Sequence, residues 1–185
     1  LAELAVTSDE AAQITLMQQN EERLRELIQQ QSKQLEEFHR DGKHWEMIEL
    51  VSSSCKLLSN TKSPQFYPAQ FMMVLDLVEC FGKMVYDRIS SYPTSTIDFL
   101  QEEKGCTHLL SLNWSMILCR TSQLLPRLLL QTSFLRCIKF HPFKTFEQSV
   151  EQIANGINGL GSASAGIYAR TYLIYTVFTL RPNAS

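Results

Sequence analysis

The chain has 185 residues, of which 44% are hydrophobic and 19% charged, enough apolar content for one sizeable core or a row of helix pairs. Seven glycines and six prolines are few and cluster between segments with helical periodicity, which favours an all-helical protein over a β-rich one. The net charge is −2, but residues 104–185 carry eight basic and two acidic side chains. This basic last third is either an ordinary solvated face or a surface for an acidic partner or a membrane, since nucleic acid would usually require denser Lys and Arg.

The first predicted helix covers about residues 8–40. Ser8 is its expected N-cap, and Gly42 is expected to end it in the left-handed conformation. Its apolar residues follow a seven-residue pattern, which indicates either a coiled-coil seam or, as we favour, a long amphipathic helix packed on its neighbours. The eight seam positions are Ile14, Met17, Glu21, Leu24, Ile28, Gln31, Leu35 and Phe38.

The second helix is predicted over about residues 43–59, and the third from Pro68 to just before Pro93. Proline suits a first helical position because its missing N–H has no partner there in any case. Both helices carry apolar residues at spacings of three and four. The side chains predicted to face the core are Trp45, Ile48, Val51, Cys55 and Leu58, followed by Phe71, Val74, Leu75, Val78, Phe81, Val85 and Ile89.

The fourth helix is predicted as one long element over residues 109–138, kinked or divided at Pro126 and ended by His141-Pro142. Proline has no N–H to donate, so the carbonyl of Ser122 would lose its helical partner. This helix is apolar nearly all round, so we expect an inner element covered on two sides, with Trp114 buried and the outer helices turning polar faces to water.

The fifth and sixth helices are predicted over about residues 144–155 and 163–180. The segment 156–161 between them, Gly-Ile-Asn-Gly-Leu-Gly, resembles a phosphate loop at first sight. It lacks the glycine order, the preceding strand and the Gly-Lys-Ser/Thr of such loops. We favour a tight link in which Gly159 or Gly161 has positive φ and the helices approach closely.

The residue inventory predicts no catalytic, cofactor-binding or metal site. The four histidines, His39, His44, His108 and His141, do not pair with cysteine or carboxylate at metal-ligand spacing, and no nucleophile has a recognisable base. An enzyme with an unrecognised site remains the least favoured of the function classes. The five cysteines include no C-x-x-C pair, and each is predicted to be a reduced core thiol, which fits the cytosol. No segment reaches the ~18 apolar residues of a membrane span.

Helices of this length with short linkers predict an all-α protein, either a bundle or a helical-pair α-solenoid. We divide the chain into a long N-terminal amphipathic helix, residues 1–41, and the start of a solenoid, residues 42–185. An alternative is a coiled-coil or helical-bundle interaction module, which would rest on the seam of the first helix.

Six short motifs, in order along the chain, carry a resemblance to a known family. They are Lys56-Leu57-Leu58-Ser59, Gln65-Phe66-Tyr67-Pro68, the run 81–89 (FGKMVYDRI), Pro126-Arg127, Cys137-Ile138-Lys139-Phe140 and the run 168–173 (YARTYL). The chain resembles the N-terminal part of the large scaffold subunit of the endosomal retriever complex, a family related to the retromer scaffold. The resemblance covers residues 20–173, leaves 92–105 and 174–185 unmatched, and implies a HEAT-like α-solenoid without enzymatic activity.

The resemblance also implies partners and a location. The N-terminal solenoid of that family docks an arrestin-like subunit, and its C-terminal solenoid, absent here, holds a phosphoesterase-fold subunit. A sorting-nexin cargo adaptor and the Commander assembly are reached indirectly. The family implies cargo recycling by a cytoplasmic protein that sits peripherally on endosomes through its complex, with no nucleic acid and no cofactor.

The residues assigned to partner docking by the resemblance are Pro126, Arg127, Leu128, Leu129 and Leu130. Arginine is a permanent cation, so Arg127 among leucines needs an acidic or carbonyl partner. We therefore expect Arg127 near an exposed helix edge, held by a neighbouring carboxylate or helix-end carbonyl, with its other donors directed outward.

Overall fold

The computed structural model describes residues 2–60, 65–91 and 102–181, with side chains described from residue 14 onward except at 102–106. Seven α-helices and two 3₁₀ helices occupy these ranges, in which no strand occurs, so the predicted all-α class is confirmed. The α-helices are α1 (Ala2–Arg40), α2 (His44–Lys56), α3 (Tyr67–Ser90), α4 (Glu102–Cys119), α5 (Leu124–Phe134), α6 (Phe146–Ile157) and α7 (Ala163–Leu180). The 3₁₀ helices are Leu57–Ser59 and Leu135–Phe140.

The helices pack in layers that follow chain order. Helix α1 contacts α2 and α3, while α5 contacts α2 and α3 on one side and α6 and α7 on the other. A stack in which each layer contacts its neighbours is the arrangement of an α-solenoid. The predicted helical-pair solenoid is therefore the fold of the described chain, with α5 at its centre.

Helix α1 is longer than predicted and packs on its own chain. It begins at Ala2, so Ser8 lies inside the helix and is not its N-cap. Leu24, Ile28 and Leu35 are buried in the core shared with α2 and α3. The amide oxygen of Gln31, a polar seam position, accepts a hydrogen bond from Ser54 Oγ of α2 at 2.9 Å. This part of the seam is thus filled within the molecule, as a packed amphipathic helix requires.

Trp45 is the one predicted core aromatic that the structure places outside. Its side chain is 47% exposed, whereas Met47 is fully buried. Because successive residues turn by 100° around a helix, Met47 and not Trp45 continues the buried stripe of Val51. The other three aromatics, Phe71, Phe81 and Trp114, are buried as predicted.

Of the two forms predicted for residues 109–138, kinked or divided, the structure shows the divided one, with the break at residues 120–123 and not at Pro126. Helix α4 ends at Cys119, Gln123 is extended (φ −86°, ψ 135°), and α5 begins at Leu124. Pro126 therefore lies in the first turn of α5, where N–H groups have no intrahelical acceptor. Ser122 belongs to the connecting loop, so its carbonyl loses no helical bond. Pro126 helps to start a helix and does not kink one.

The inner and outer faces follow the prediction only for part of the chain. Helix α5 is an inner element, with eight of its eleven residues buried. Helix α4, predicted to be covered as well, has Leu109 and Met116 more than half exposed. Helix α7 likewise departs from a polar outer face. Its exposed apolar side chains are Ile167, Ile174, Tyr175 and Phe178.

The link between α6 and α7 does not have the glycine geometry that was predicted. Thr145 starts α6 with a capping box, and α7 has the predicted bounds. Among the described glycines only Gly42 has a positive φ, of 71°, so the predicted left-handed Gly159 or Gly161 is wrong and the predicted C-terminus of the first helix is confirmed. A close approach occurs instead between α6 and α5, at Gly156 of α6, where an added Cβ would lie 2.6 Å from Leu128 Cδ2.

The cysteine environments are mixed. Cys55 and Cys137 are buried and Cys80 is partly buried, but Cys119 is exposed at the end of α4, so it is not the core thiol that was predicted. The side chain of Cys106 lies outside the described residues. Within the ranges described, no helix has the length and apolar character needed to cross a bilayer.

Candidate partner-docking site

The five residues assigned to docking do not share one surface. Leu128, Leu129 and Leu130 are 3%, 1% and 0% exposed, and Pro126 is also buried. Arg127 is half-buried and is the only member of the set with substantial contact to solvent. The leucines therefore belong to the core, and any direct contact with a partner must come from Arg127 and from residues outside the motif.

Local hydrogen bonds and packing fix the orientation of α5. The Arg127 N–H donates to the carbonyl of Gln123 at 3.2 Å and so closes the first helical turn. Further along, Ser133 Oγ donates to the carbonyl of Leu130 at 2.9 Å. Ser133 also sits against Gly82 of α3, where an added Cβ would lie 2.8 Å from Ser133 Cβ. Helices α2, α3, α4, α6 and α7 all contact α5, so the backbone that carries Arg127 is held on several sides.

The expected partner of Arg127 is not found within the described ranges. No carboxylate in them forms an ion pair with its guanidinium, and no described carbonyl accepts a hydrogen bond from it. A guanidinium has five N–H donors in a planar fork that matches carboxylates. A half-buried arginine with these donors unused by the described residues is suited to an acidic group on another protein.

A surface groove of about 330 Å³ is lined in part by Pro126, the residue before Arg127. Pro126 lies on one side of it, and the exposed Trp45 lies on the side of α2. Ser52 contributes a buried hydroxyl with no hydrogen-bond partner among the described residues. The remaining lining residues are Ile48, Glu49, Ser53, Lys56, Arg120, Thr121, Ser122 and Gln123.

Trp45 is the residue that sequence reasoning missed at this surface. Tryptophan and arginine are enriched among the residues that dominate binding energy at protein interfaces. Here Trp45, Pro126 and Arg120 meet at one groove, and Arg127 follows Pro126 directly. The position of Trp45 in the first turn of its helix, two residues before the buried Met47, is the signal that could have placed it outside.

The described residues give no indication of catalytic chemistry at this surface. They contain no cluster of side chains able to hold a metal ion. Burial raises the pKa of the Cys55 and Cys137 thiols to about 12, and a thiol that stays protonated is a poor nucleophile. The glycine-containing segment joins two helices, so it lacks the strand that precedes a phosphate loop.

Comparison with known proteins places the chain in a family. A family model described as VPS35L matches residues 2–185. Proteins named VPS35 endosomal protein-sorting factor-like are 30% identical over 142 residues in Mus musculus, 26% over 180 residues in Danio rerio and 31% over 147 residues in Dictyostelium discoideum. These matches cover 74%, 95% and 74% of this chain, but only 15%, 19% and 14% of the three relatives.

The chain thus spans less than a fifth of the length of the curated relatives it matches. The match agrees with the resemblance found in the short motifs, and it extends over residues 92–105 and 174–185, which those motifs leave unmatched. With the layered α-helical fold, it supports one conclusion: the chain belongs to the VPS35L family.

Proposed function

We propose that this chain is the N-terminal part of a non-enzymatic scaffold for endosomal protein sorting. Support comes from membership of the VPS35L family and from relatives that are named as endosomal protein-sorting factors. A stacked α-helical fold suits a scaffold, because each layer adds surface for partners without requiring a reaction centre. The proposed location is cytoplasmic and peripheral on endosomes, reached through the assembled complex.

The partner proposed for this part of the scaffold is the arrestin-like subunit of the retriever complex. The observation that carries the proposal is the groove beside Pro126, with the exposed Trp45 in its lining and the half-buried Arg127 next to Pro126 in the chain. Leu128, Leu129 and Leu130 would act indirectly by anchoring α5 in the core. Arg127 would bind a carboxylate of the partner through two parallel hydrogen bonds.

The other partners belong to the longer scaffold. The phosphoesterase-fold subunit would be held by solenoid layers beyond those described here. The sorting-nexin cargo adaptor and the Commander components would be reached through the assembled complex, and membrane association would be indirect. The function proposed for this segment is therefore a single docking step in cargo recycling.

Titration calorimetry of the chain with the purified arrestin-like subunit tests the proposal. Arg127→Ala and Trp45→Ala should each weaken binding by about 2–4 kcal/mol, the range of interface hot spots. Arg127→Lys should restore little affinity, because lysine keeps the charge but loses the planar fork. Arg25→Ala is the matched control, since Arg25 is an exposed arginine on α1 that pairs with Glu21 and Glu22 of its own helix.

Circular dichroism of each variant establishes that the helical fold is intact. Wild-type affinity in both Arg127→Ala and Trp45→Ala would remove the docking role from this groove. Light scattering of the isolated chain addresses the coiled-coil alternative. A scaffold segment should be monomeric until the partner is added, whereas a coiled-coil module should self-associate through α1.

A further inference from the structure

A second and larger groove lies on a different part of the surface. Its volume is about 820 Å³, and it shares no lining residue with the groove beside Pro126. It is formed by the last turns of α3, the 3₁₀ helix Leu135–Phe140, the start of α6 and the end of α7. These four elements come together only in the folded chain, because the lining residues range from position 83 to position 181 of the sequence.

The groove is strongly basic although the chain as a whole is acidic. Five basic side chains and two carboxylates line it, a net charge of +3, against −2 for the entire chain. Asp87 and Glu147 are the two carboxylates. The basic residues are Lys83, Arg136, Lys139, Lys144 and Arg181.

The two arginines of the groove are already neutralised, but its lysines are not. Arg136 pairs with Glu79, and Arg181 pairs with Glu147. Within the described part of the chain, no carboxylate lies within ion-pair distance of Lys83, Lys139 or Lys144. Once Glu79 is counted with Arg136, the three lysines and Asp87 remain, a net charge of +2, so the excess positive charge is carried by three ammonium groups.

Two of these ammonium groups are held in place by neutral groups. Lys139 Nζ donates a hydrogen bond to the Tyr86 hydroxyl at 2.6 Å and lies 4.7 Å and 4.9 Å from the ring centroids of Tyr86 and Phe140. Lys144 Nζ donates to Gln152 Oε1 at 3.0 Å. An ammonium has three donors, so each lysine keeps donors for a ligand while its position is already fixed. Such preorganisation reduces the entropy lost on binding.

The floor of the groove is apolar. Leu135 and Phe146 are buried beneath it, and Ile138 and Leu180 are partly buried at its sides. A recess with an apolar floor and cationic walls accepts an apolar side chain flanked by carboxylates. A flat bilayer surface cannot enter a concave recess, and nucleic acid would require denser basic residues and exposed stacking faces.

We propose that this groove binds an acidic peptide segment of a partner protein. One apolar side chain of the segment rests on the floor beside Phe146, and carboxylates on either side meet Lys83, Lys139 and Lys144. The site is independent of the docking function proposed for Pro126 and Arg127, so either could fail while the other holds.

Fluorescence polarisation with the full chain tests this site. The probe is a fluorescein-labelled Glu-rich peptide with a central Leu-Phe pair, accompanied by a version with Ser-Ser at the centre and a version with Lys in place of Glu. The first peptide should bind, and its affinity should fall as salt screens the charges. The Ser-Ser peptide should bind more weakly, and the Lys-rich peptide should not bind.

Charge reversals locate the binding on the protein. Lys83→Glu and Lys144→Glu should each weaken the affinity by about tenfold, a change of ~1.4 kcal/mol. Lys33→Glu is the matched control, because Lys33 is an exposed lysine on α1 that does not line the groove, and it should stay within about twofold of wild type. Circular dichroism should show the same helical content in all three variants.

Three results would overturn the proposal. The first is no binding of the Glu-rich peptide by the wild-type chain. The second is an equal loss of affinity in Lys33→Glu, which would indicate general charge attraction. The third is binding to phosphatidylserine vesicles, abolished by Lys83→Glu, without binding to the peptide, which would identify the groove as a lipid-headgroup site.

Discussion

The Tyr172 hydroxyl of α7 donates a hydrogen bond to the Glu79 carboxylate of α3, across 93 positions of sequence. The same carboxylate accepts a hydrogen bond from the guanidinium of Arg136 in the 3₁₀ helix that follows α5. Burial is the largest cause that raises the pKa of Tyr172 above its ordinary value, and the charge of Glu79 and its hydrogen bond act in the same direction. The phenol therefore stays protonated and remains a donor. Glu79 of α3 is thus hydrogen-bonded to both α7 and the 3₁₀ helix Leu135–Phe140.

Replacing Tyr172 with Phe should lower the free energy of unfolding by about 1–3 kcal/mol, the usual cost of removing a donor to a charged group. Glu79 would keep Arg136, which limits the loss. Urea unfolding measures the change, and Tyr175→Phe is the control because Tyr175 is 63% exposed on the same helix. Equal stability of the two variants would mean that the Tyr172 bond contributes nothing to the fold.

Phe81→Ala should lower the free energy of unfolding by about 3–5 kcal/mol, the cost of truncating a core aromatic. Phe81 is fully buried, and its ring meets Trp114 edge-on at a centroid distance of 5.8 Å. Trp45→Ala is the comparison, since Trp45 is a larger side chain but lies at the surface. Its loss should be under about 1 kcal/mol in the same denaturant melt. A larger loss for Trp45→Ala than for Phe81→Ala would reverse the assigned inner and outer faces.

Gly82→Ala should destabilise the fold although alanine favours helix. The added Cβ would lie 2.8 Å from Ser133 Cβ and 2.9 Å from the Ser133 carbonyl oxygen, and a backbone atom cannot move aside cheaply. Overpacking of this kind costs about 1–3 kcal/mol, against a gain of about 1 kcal/mol in helix propensity, so a net loss of up to about 2 kcal/mol is expected. Thermal or denaturant unfolding measures it.

Gly161→Ala provides the control for that experiment. Nothing lies within 4 Å of its added Cβ, and its φ is not positive, so the change should stay within about 0.5 kcal/mol. If both substitutions were neutral, the close packing of α3 on α5 at Ser133 would not constrain the fold.

Periodicity was enough to predict the buried faces of the long helices. In α3, six of the seven predicted core positions are buried, with Leu75 only partly so. The bounds of α7 were also predictable, because Ser162 caps one end and Arg181-Pro182 follows the other. Each of these signals is local, so no knowledge of the tertiary arrangement was needed.

The errors arose where tertiary packing decides the outcome. A proline within an apolar run can kink a helix or start one, and the difference depends on the extended backbone of Gln123, which periodicity does not report. The site was harder still. Leu128 to Leu130 are buried because α5 is covered by other helices on several sides. Trp45 is exposed because of the way α2 is oriented against the core, with Met47 facing inward.

Three histidines make the stability of the fold dependent on pH. Burial lowers the pKa of His39, His44 and His141 below the ordinary 6.5. The Arg88 charge acts in the same direction on His39 and His44, and the Lys144 charge does so on His141. The opposing acidic groups are Asp87, which raises the pKa of His39, and Glu46, which raises that of His44, but each is the smallest cause. All three histidines therefore resist protonation in the folded chain.

The free energy of unfolding should consequently decrease as the pH falls below 6.5, because these histidines bind protons there in the unfolded chain but not in the folded chain. Above that pH the histidines are neutral in both states and do not change the free energy of unfolding. His44 should contribute most clearly, since its Nε2 is buried without a partner among the described residues and its ring lies 4.9 Å from that of Trp114. Urea unfolding between pH about 7.5 and 5.5 measures the slope above the range in which carboxylates titrate. His44→Gln should reduce the slope, and Lys33→Gln, on the exposed surface, should leave it unchanged. A flat profile in the wild-type chain, or an equal slope in His44→Gln, would show that these histidines titrate alike in the folded and unfolded states.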